Sequence, residues 1–350
     1  MRVAVITSRA TSLMNVARDI AFVIQQRGHV PVLLDYMPYT HDLARQVDQV
    51  IVVMTFNPLM SRTWFLLQRE LLKLGIPTIV YTTIEGKPVD RYISPWIKRE
   101  TFYVANSRYT ARNLSMYGLQ VIDIVYHGVN FNTINAVKPR KQHYRKYIES
   151  KLGQGVIYGI VASNHPRKGL KEFSGVVAQV VEKCDECKFY ILSTPGATGY
   201  FSNIKNVYVD PRFGKLMYEE VLGLIAAFDY YVQPSLAEGF CLPVLEANAL
   251  GVPAIHLEYE PITEYSRSDF NFYVKYNSIV YDDLNEGIYY EMHYYEPSDF
   301  IDTILYTYDI IVNKKDEYRE RSVKAVENAK NYSVDKLYPR LLEILDKLKG

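Results

Sequence analysis

The segment with the densest chemical content is PSLAEGFCLPVLEANALGVPAI (234–255), which directly follows the apolar run DYYVQP. Pro243 suits the first turn of a helix, because the amide that proline lacks is not needed there. A helix that begins here would leave free amides at its N-terminus, where they can bind phosphate or sugar oxygens. The main-chain groups that form this predicted anion cradle are those of Gly239, Phe240, Cys241 and Leu242.

Two glutamates, Glu238 and Glu246, accompany this cradle. Glu246 lies about one turn into the helix, and its side chain should lean back towards the helix N-terminus. Carboxylates repel a phosphate, so we expect these two groups to bind neutral hydroxyls of a ribose or a hexose. Each glutamate alone also fits an ordinary acid at the start of a helix. The combination with the free amides favours a binding site.

A second candidate segment is VASNHPRKGLKEF (161–173), which also follows an apolar run and leads into a helical pattern. Arg167 and Lys168 lie where a cation would meet a diphosphate, and Gly169 allows close approach of the backbone. Taken alone, Lys168 fits a solvated surface charge equally well. We expect Lys168 and Glu238 to be exposed in a cleft.

These segments belong to a regular alternation of β-branched apolar runs and helical patterns, which predicts an α/β fold with two doubly wound parallel sheets. In such sheets ligands bind outside the carboxyl ends of the strands. The predicted strands are 3–7, 30–35, 49–54, 77–82, 102–105 and 121–126, followed by 156–162, 188–193, 206–210, 229–234 and 253–258. The clearest helices are 12–27, 61–74, 169–183, 242–250 and 334–350. We predict a first domain at 1–137, a basic connector at 138–155, a second domain at 156–333 and a final helix at 334–350.

Composition is that of a folded protein, with 350 residues, 48% hydrophobic and 23% charged residues. The net charge of +1 gives no overall field for nucleic acid, so that partner is excluded and any anion site must be local. No apolar run is long enough for a signal peptide or a membrane span, and we expect a cytoplasmic protein. Cys184 and Cys187 are interpreted as two incidental thiols rather than a metal or redox site. An excess of 31 Tyr has no evident function.

Glu238 followed by GFCLPVLEANALGVP resembles the Glu-x7-Glu signature of the retaining GT-B glycosyltransferases of family 4 (group 1). The resemblance extends to AFDYYVQPS (227–235), RGHVPVLL (27–34), VANSRYTARNL (104–114) and VYHGVNFN (125–132). It implies two Rossmann-like domains that face a cleft, with the acceptor on the side of 1–137 and a nucleotide-sugar donor on the side of 156–333. It also implies that the final helix crosses back to the first domain and that the cleft opens and closes.

The resemblance implies a role for each matching residue. Glu238 would contact hydroxyls of the transferred hexose, Glu246 the ribose, and Lys168 the leaving diphosphate, without a metal ion or other cofactor. Main-chain amides from Gly239 to Leu242 would hold the donor. The acceptor, whether glycan, lipid or protein, is not indicated, and peripheral attachment to a membrane is left open.

Three positions depart from the family pattern. Ser163 stands where the family has an arginine, so Arg167 or another residue is expected to supply the second cation. The first loop reads SRATS (8–12) without glycine, and TTIEG (82–86) has no histidine, so Glu85 is a candidate replacement. By position, the candidate lining on the acceptor side is 8–15, 56–64 and 82–96, with Arg9, Ser12 and Glu85 as the site candidates and Arg62, Trp64 and Trp96 in the same three segments.

Two other functions remain to be weighed. A catalytically silent nucleotide-sugar-binding protein of the same fold would explain the departures in the first domain. An NAD-dependent oxidoreductase would need a GxGxxG motif after the first strand of a domain. Residues 8–13 read SRATSL and residues 163–168 read SNHPRK, so that function is disfavoured.

Overall fold

A computed structural model describes residues 1–348 of the chain. Within them the strands are β1 (Arg2–Thr7), β2 (Val30–Leu34), β3 (Gln49–Thr55), β4 (Thr78–Thr83), β5 (Gly86–Pro88), β6 (Phe102–Ala105), β7 (Gln120–Ile124), β8 (Val156–Val161), β9 (Cys187–Leu192), β10 (Val207–Asp210), β11 (Tyr230–Gln233), β12 (Ala254–Leu257), β13 (Phe272–Val274), β14 (Ser278–Asp282) and β15 (Ile288–Tyr294). The helices are α1 (Thr11–Gln26), α2 (Thr40–Ala44), α3 (Arg62–Lys73), α4 (Pro95–Arg99), α5 (Arg108–Ser115), α6 (Phe131–Val137), α7 (Lys141–Leu152), α8 (Leu170–Lys183), α9 (Thr198–Phe201), α10 (Tyr218–Ala227), α11 (Leu242–Leu250), α12 (Pro297–Asn313), α13 (Lys315–Ala329), α14 (Val334–Leu337) and α15 (Pro339–Lys347).

Two six-stranded parallel sheets form the two halves of the molecule, in the orders β2-β1-β3-β4-β6-β7 and β10-β9-β8-β11-β12-β13. Their central strands are buried on both faces, as the unalternating apolar runs indicate. Helix α1 buries the stripe that its sequence predicts, including Val16, Ile20 and Val23. The predicted fold class, two Rossmann-like doubly wound sheets, is therefore confirmed.

The predicted connector at 138–155 is mostly helical. Helix α7 occupies its centre and turns Ile148 into the core. Arg145 on this helix donates to Asp229 at 2.7 Å and to the backbone carbonyl of Gly155 at 2.6 Å. These bonds fix the connector against the second sheet.

The last segment lies on the first domain. Helices α14 and α15 bury Val334, Tyr338 and Leu341 in the same apolar cluster as Val5 and Val16. Pro339 begins α15 and separates it from α14, so the segment is two helices rather than one. Residues 349–350 of the predicted final helix lie outside the part of the chain that the structure describes.

A third, small antiparallel sheet joins the two domains, and no sequence pattern indicated it. Its order is β14-β15-β5, in which β5 comes from the first domain and β14 and β15 from the second. The amide of Glu291 donates to the carbonyl of Glu85 at 3.2 Å, and the amide of Val89 donates to the carbonyl of Gly287. We call the strands β5, β14 and β15 the interdomain clasp.

The close pairing of strands in the clasp requires glycine at position 86. A Cβ atom at this position would lie 1.9 Å from the carbonyl oxygen of Tyr289, far inside contact distance. We expect Gly86→Ala to separate the two strands and lower the free energy of unfolding by about 1–3 kcal/mol, measured by urea denaturation. Gly175→Ala is the matched control, because a Cβ there meets nothing within 4 Å and it lies in helix α8. Equal stability of the two variants would contradict this account of the clasp.

The structure accounts for much of the tyrosine excess. Buried tyrosines fill the core, and their hydroxyls donate hydrogen bonds to backbone carbonyls. Tyr158 donates to Ile304 at 3.0 Å and Tyr230 donates to Thr307 at 2.9 Å. The late cluster of tyrosines at 281–295 lies on and beside the clasp rather than along the cavity described below. Cys184 and Cys187, expected as separate thiols, are joined by a disulfide bond.

Candidate functional site

A cavity of about 430 Å³ lies between the two domains at the carboxyl ends of their strands. This is where doubly wound sheets place ligands. Both predicted segments reach it, together with the first turn of α1. The residues with polar or charged side chains that line it are Thr11, Ser12, Asn15, Thr55, Thr83, Glu85, His127, Ser163, Arg167, Lys168, Tyr218, Glu238 and Glu246.

Glu238 is the centre of an ionic network in this cavity. Its carboxylate accepts from Lys168 Nζ at 2.5 Å and from Arg167 Nη1 at 3.2 Å. Arg167 Nη2 lies 3.2 Å from Glu85 Oε1, which brings a residue of the first domain into the same network. The side chain of Glu238 is only 6% exposed and that of Lys168 only 16%. The expectation that both are exposed was wrong, because each covers the other.

The polypeptide holds Glu238 from behind as well. Gln233, at the end of β11, donates from Nε2 to Glu238 at 2.9 Å. The hydroxyl of Tyr231 donates to the side-chain oxygen Oε1 of Gln233 at 2.8 Å. The carbonyl of Arg167 accepts from the amide of Leu236 at 2.8 Å, which ties the two site segments together. The carboxylate and its two cations are therefore fixed by strand ends on neighbouring strands.

The charges determine the protonation of this network. Burial by itself would raise the pKa of Glu238, but Lys168 and Arg167 outweigh it and hold the pKa below its usual value. Burial likewise disfavours the charge on Arg167, yet Glu85 and Glu238 raise its pKa. The network thus joins two carboxylates, Glu85 and Glu238, to two cations, Arg167 and Lys168.

Helix α11 begins at the cavity as predicted, after Cys241 in a left-handed conformation with φ of 73°. No side chain caps this helix, and the main-chain amides of residues 239–242 donate to no other group within residues 1–348. Tyr265 donates to the carbonyl of Cys241 at 2.6 Å and keeps the loop in place. Gly239 is required, because a Cβ atom there would lie 2.0 Å from Thr83 Oγ1. The arrangement leaves the amides available to an anion.

A second helix N-terminus faces the same cavity. Helix α1 begins at Thr11, its N-cap residue Ala10 offers no capping side chain, and its first turn has no acid. Ser12 lines the cavity, whereas Arg9 points to solvent and pairs with Asp35 at 3.0 Å. The loop SRATS therefore reaches the cavity with its backbone although it lacks glycine. Two uncapped helix dipoles converge on one space.

Glu246 lies deeper in the cavity wall and is held differently from Glu238. Tyr218 donates to its Oε1 at 2.7 Å, and no cation is paired with it in the described part of the chain. Burial raises the pKa of Glu246 to about 7, and the nearby Asp19 contributes in the same direction. Burial also raises the pKa of Asp19 to about 7. A carboxyl group in this state can donate as well as accept a hydrogen bond.

This pKa has a measurable consequence for stability. Since the folded-state pKa of Glu246 exceeds its ordinary 4.5, the folded protein binds a proton more tightly and loses stability as the pH rises from about 4.5 to about 7. We expect the wild type to lose about 2–3 kcal/mol more unfolding free energy between pH 5 and pH 8 than Glu246→Gln does. Urea denaturation at both pH values measures this difference. Glu182→Gln, an exposed control on α8, should follow the wild type, and parallel behaviour of Glu246→Gln would contradict the assignment.

The remaining candidates are placed as follows. Glu85 lines the cavity and joins the ionic network, whereas Arg62, Trp64 and Trp96 do not line it. Among residues 1–348, no group of three or more His, Cys, Asp or Glu side chains is placed to hold a metal ion. No helix in that part of the chain is both long and apolar enough to cross a bilayer.

Two polar residues of the cavity that the sequence did not single out are Thr83, which lies within the predicted lining segment 82–96, and His127. Thr83 Oγ1 is buried and has no hydrogen-bond partner in the described chain. His127 lies in VYHGVNFN, directly after the last strand of the first sheet. That position, at the carboxyl end of a strand, is the signal that could have found it.

Comparison with known proteins agrees with this geometry. Residues 154–294 match the family described as Glycosyl transferases group 1. The chain is 27% identical over 351 residues to "Uncharacterized glycosyltransferase 335" of Sulfolobus islandicus rod-shaped virus 1, covering 98% of this chain and 100% of that protein.

Solved structures show the same architecture. A glycosyltransferase from Rickettsia africae superposes with a TM-score of 0.72 at 13% identity, covering 99% of this chain and 98% of that one. Anabaena Alr3699/HepE in complex with UDP and glucose superposes with a TM-score of 0.66 at 12% identity, covering 99% and 100%. The fold is GT-B. The match of residues 154–294 and the relatives named as glycosyltransferases show that the chain is a glycosyltransferase, with the group 1 match confined to residues 154–294.

Proposed function

We propose that this protein is a retaining, metal-independent glycosyltransferase that moves a hexose from a nucleoside-diphosphate sugar to an acceptor hydroxyl. The observation that carries the proposal is the convergence of Lys168, Arg167 and two uncapped helix N-termini on one interdomain cavity. A departing nucleoside diphosphate needs this kind of fixed positive charge and oriented dipoles.

In this proposal Lys168 and the amides at 239–242 bind the diphosphate. Lys168 is engaged by Glu238 in the structure, so the arriving diphosphate would draw the ammonium group away and free one lone pair of Oε1, the oxygen that Gln233 also contacts. Glu238 then accepts a hydrogen bond from a hydroxyl of the hexose, while Arg167 continues to hold its other oxygen. The network thus exchanges partners without exposing an unpaired charge.

Glu246 is proposed to bind the ribose. Its pKa of about 7 lets it offer both a donor and an acceptor to a pair of vicinal hydroxyls. The HepE complex, which contains UDP and glucose, supports UDP-glucose as the first donor to try. A cytoplasmic location stays a prediction.

We propose that transfer occurs on the face from which the diphosphate leaves. The bond between the anomeric carbon and the phosphate oxygen breaks, the acceptor oxygen bonds to that carbon, and the acceptor proton passes to the departing phosphate. Glu238 is held by two cations, a state that suits hydroxyl binding better than nucleophilic attack. The positive charge of the site can be supplied by the protein alone.

The test is a thermal-shift screen with UDP, GDP, ADP and CMP and their hexose conjugates, followed by product analysis. The proposal expects one nucleotide to raise the melting temperature and its sugar conjugate to yield a glycoside with the donor's anomeric configuration. Binding without transfer or hydrolysis would favour the silent binding protein instead. An inverted product, or activity that depends strictly on a divalent cation, would overturn the mechanism.

A further inference from the structure

His127 is a cavity residue that the proposed mechanism has not used. It follows β7 in the first domain, is only 6% exposed, and lines the cavity. Its ring stands edge-on to Phe240, with centroids 5.1 Å apart. Phe240 belongs to the loop whose amides lead into α11, so the imidazole of one domain meets the donor-side loop of the other.

The hydrogen bonds around His127 settle which ring nitrogen carries the proton. The hydroxyl of Tyr81 lies 2.9 Å from the carbonyl oxygen of Val125 and 2.8 Å from His127 Nδ1. The hydroxyl has one proton, and the carbonyl can only accept, so Tyr81 donates to Val125. His127 Nδ1 must therefore donate to Tyr81, which leaves Nε2 as an unprotonated acceptor.

Burial keeps this tautomer neutral, since it lowers the pKa of His127 to about 3. The supporting tyrosine is itself fixed by the returning C-terminal segment: Tyr338 packs its ring against Tyr81, and its hydroxyl accepts from the amide of Gly128 at 3.2 Å. The orientation of the imidazole is thus set by a buried network and not by a ligand.

Nε2 has no hydrogen-bond partner within residues 1–348. His127 lines the cavity and its Nδ1 is engaged by Tyr81, so Nε2 is the ring nitrogen left for a ligand. A buried hydrogen-bond acceptor without a partner costs free energy, and a ligand that supplies a donor removes that cost. Phosphate oxygens are themselves acceptors, so the matching ligand group is a hydroxyl.

We propose that His127 Nε2 accepts a hydrogen bond from one hydroxyl of the transferred sugar and thereby selects the donor sugar. This inference rests on the proposed function and assigns one sugar contact to the first domain. The contact with Phe240 places the imidazole of His127 beside the loop 239–242, where the sugar and phosphates of the donor are proposed to lie. Tyr81 is a positioning residue for this contact.

The test compares UDP-glucose with its 2-, 3-, 4- and 6-deoxy analogues. For the wild type, we expect kcat/KM to be about 10- to 100-fold lower with one of the deoxy analogues than with UDP-glucose. For His127→Phe, we expect kcat/KM with UDP-glucose to be lowered to a similar extent, without a further loss on that analogue. Tyr81→Phe should weaken discrimination at the same sugar position. UDP, which lacks the sugar, should bind wild type and His127→Phe equally. His143→Phe, an exposed control on α7, should behave as the wild type.

Two results would overturn the inference. One is a uniform loss of His127→Phe across UDP-glucose and all four analogues, which indicates general packing rather than one hydroxyl. The other is a nitrogen NMR spectrum of the free protein in which Nδ1 of His127, assigned by comparison with His127→Phe, carries no proton. That spectrum needs no ligand, so it separates this inference from the proposed function, whose failure would appear as absent binding of nucleotides and nucleotide sugars.

Discussion

Lys168→Met is expected to lower kcat by about 10²- to 10³-fold with a smaller change in KM. The ammonium group is proposed to bind the diphosphate and to meet the additional charge that develops on it as the bond to the sugar breaks, and removing one such preorganised group costs that factor in other enzymes. Steady-state kinetics with the donor found in the thermal-shift screen measures the effect.

The stability of this variant should change little, because Glu238 keeps its bonds to Arg167 and Gln233. Lys171→Met is the matched control: Lys171 lies at the start of α8, three residues after Lys168, is exposed, and forms no ion pair in the described chain. Turnover of Lys168→Met within a factor of three of the control would remove Lys168 from the mechanism.

Glu238→Gln is expected to affect both activity and stability. The substitution removes a charged hydrogen-bond acceptor for the hexose. We expect this to raise the activation free energy by about 3 kcal/mol, which lowers kcat/KM about 100-fold. It also leaves Lys168 without its carboxylate in a largely buried position, so we expect the free energy of unfolding to fall by about 3 kcal/mol.

Kinetics and urea denaturation are measured on the same preparation of this variant. Glu182→Gln, which removes an exposed carboxylate from α8, should change neither quantity. Full stability with lost activity would mean that the ion pairs are weaker than their geometry indicates. Full activity with lost stability would assign Glu238 to structure alone.

The sequence was sufficient for the two parallel sheets because buried parallel strands leave a strong local signal. Runs such as VAVIT and VIYGIV are apolar on both faces, and glycines mark helix ends after them. The sequence signal for the helix at 242–250 is equally local, since Pro243 and the preceding loop define the start of that helix. Site residues on these strand ends could therefore be named in advance.

Contacts between distant segments could not be read in the same way. Strand β5 is three residues long, GKP, and acquires its conformation only by pairing with β15. Likewise, the burial of Lys168 follows from its contact with Glu238, which no periodicity encodes. The role of His127 in the site depends on its contacts with Tyr81 and Phe240, which are distant in sequence and therefore leave no local signal.

The interdomain clasp and the returning helices also constrain how the chain folds during synthesis. The first domain emerges first, but the partner of β5 is β15, and the apolar face of α1 is completed by α15 at the end of the chain. These contacts have long sequence separation, which slows folding. A nascent chain that has reached only Val137 lacks β15, the partner of β5, and also α14 and α15, which complete the apolar cluster of α1. The first domain is therefore completed only after the second domain has been synthesised.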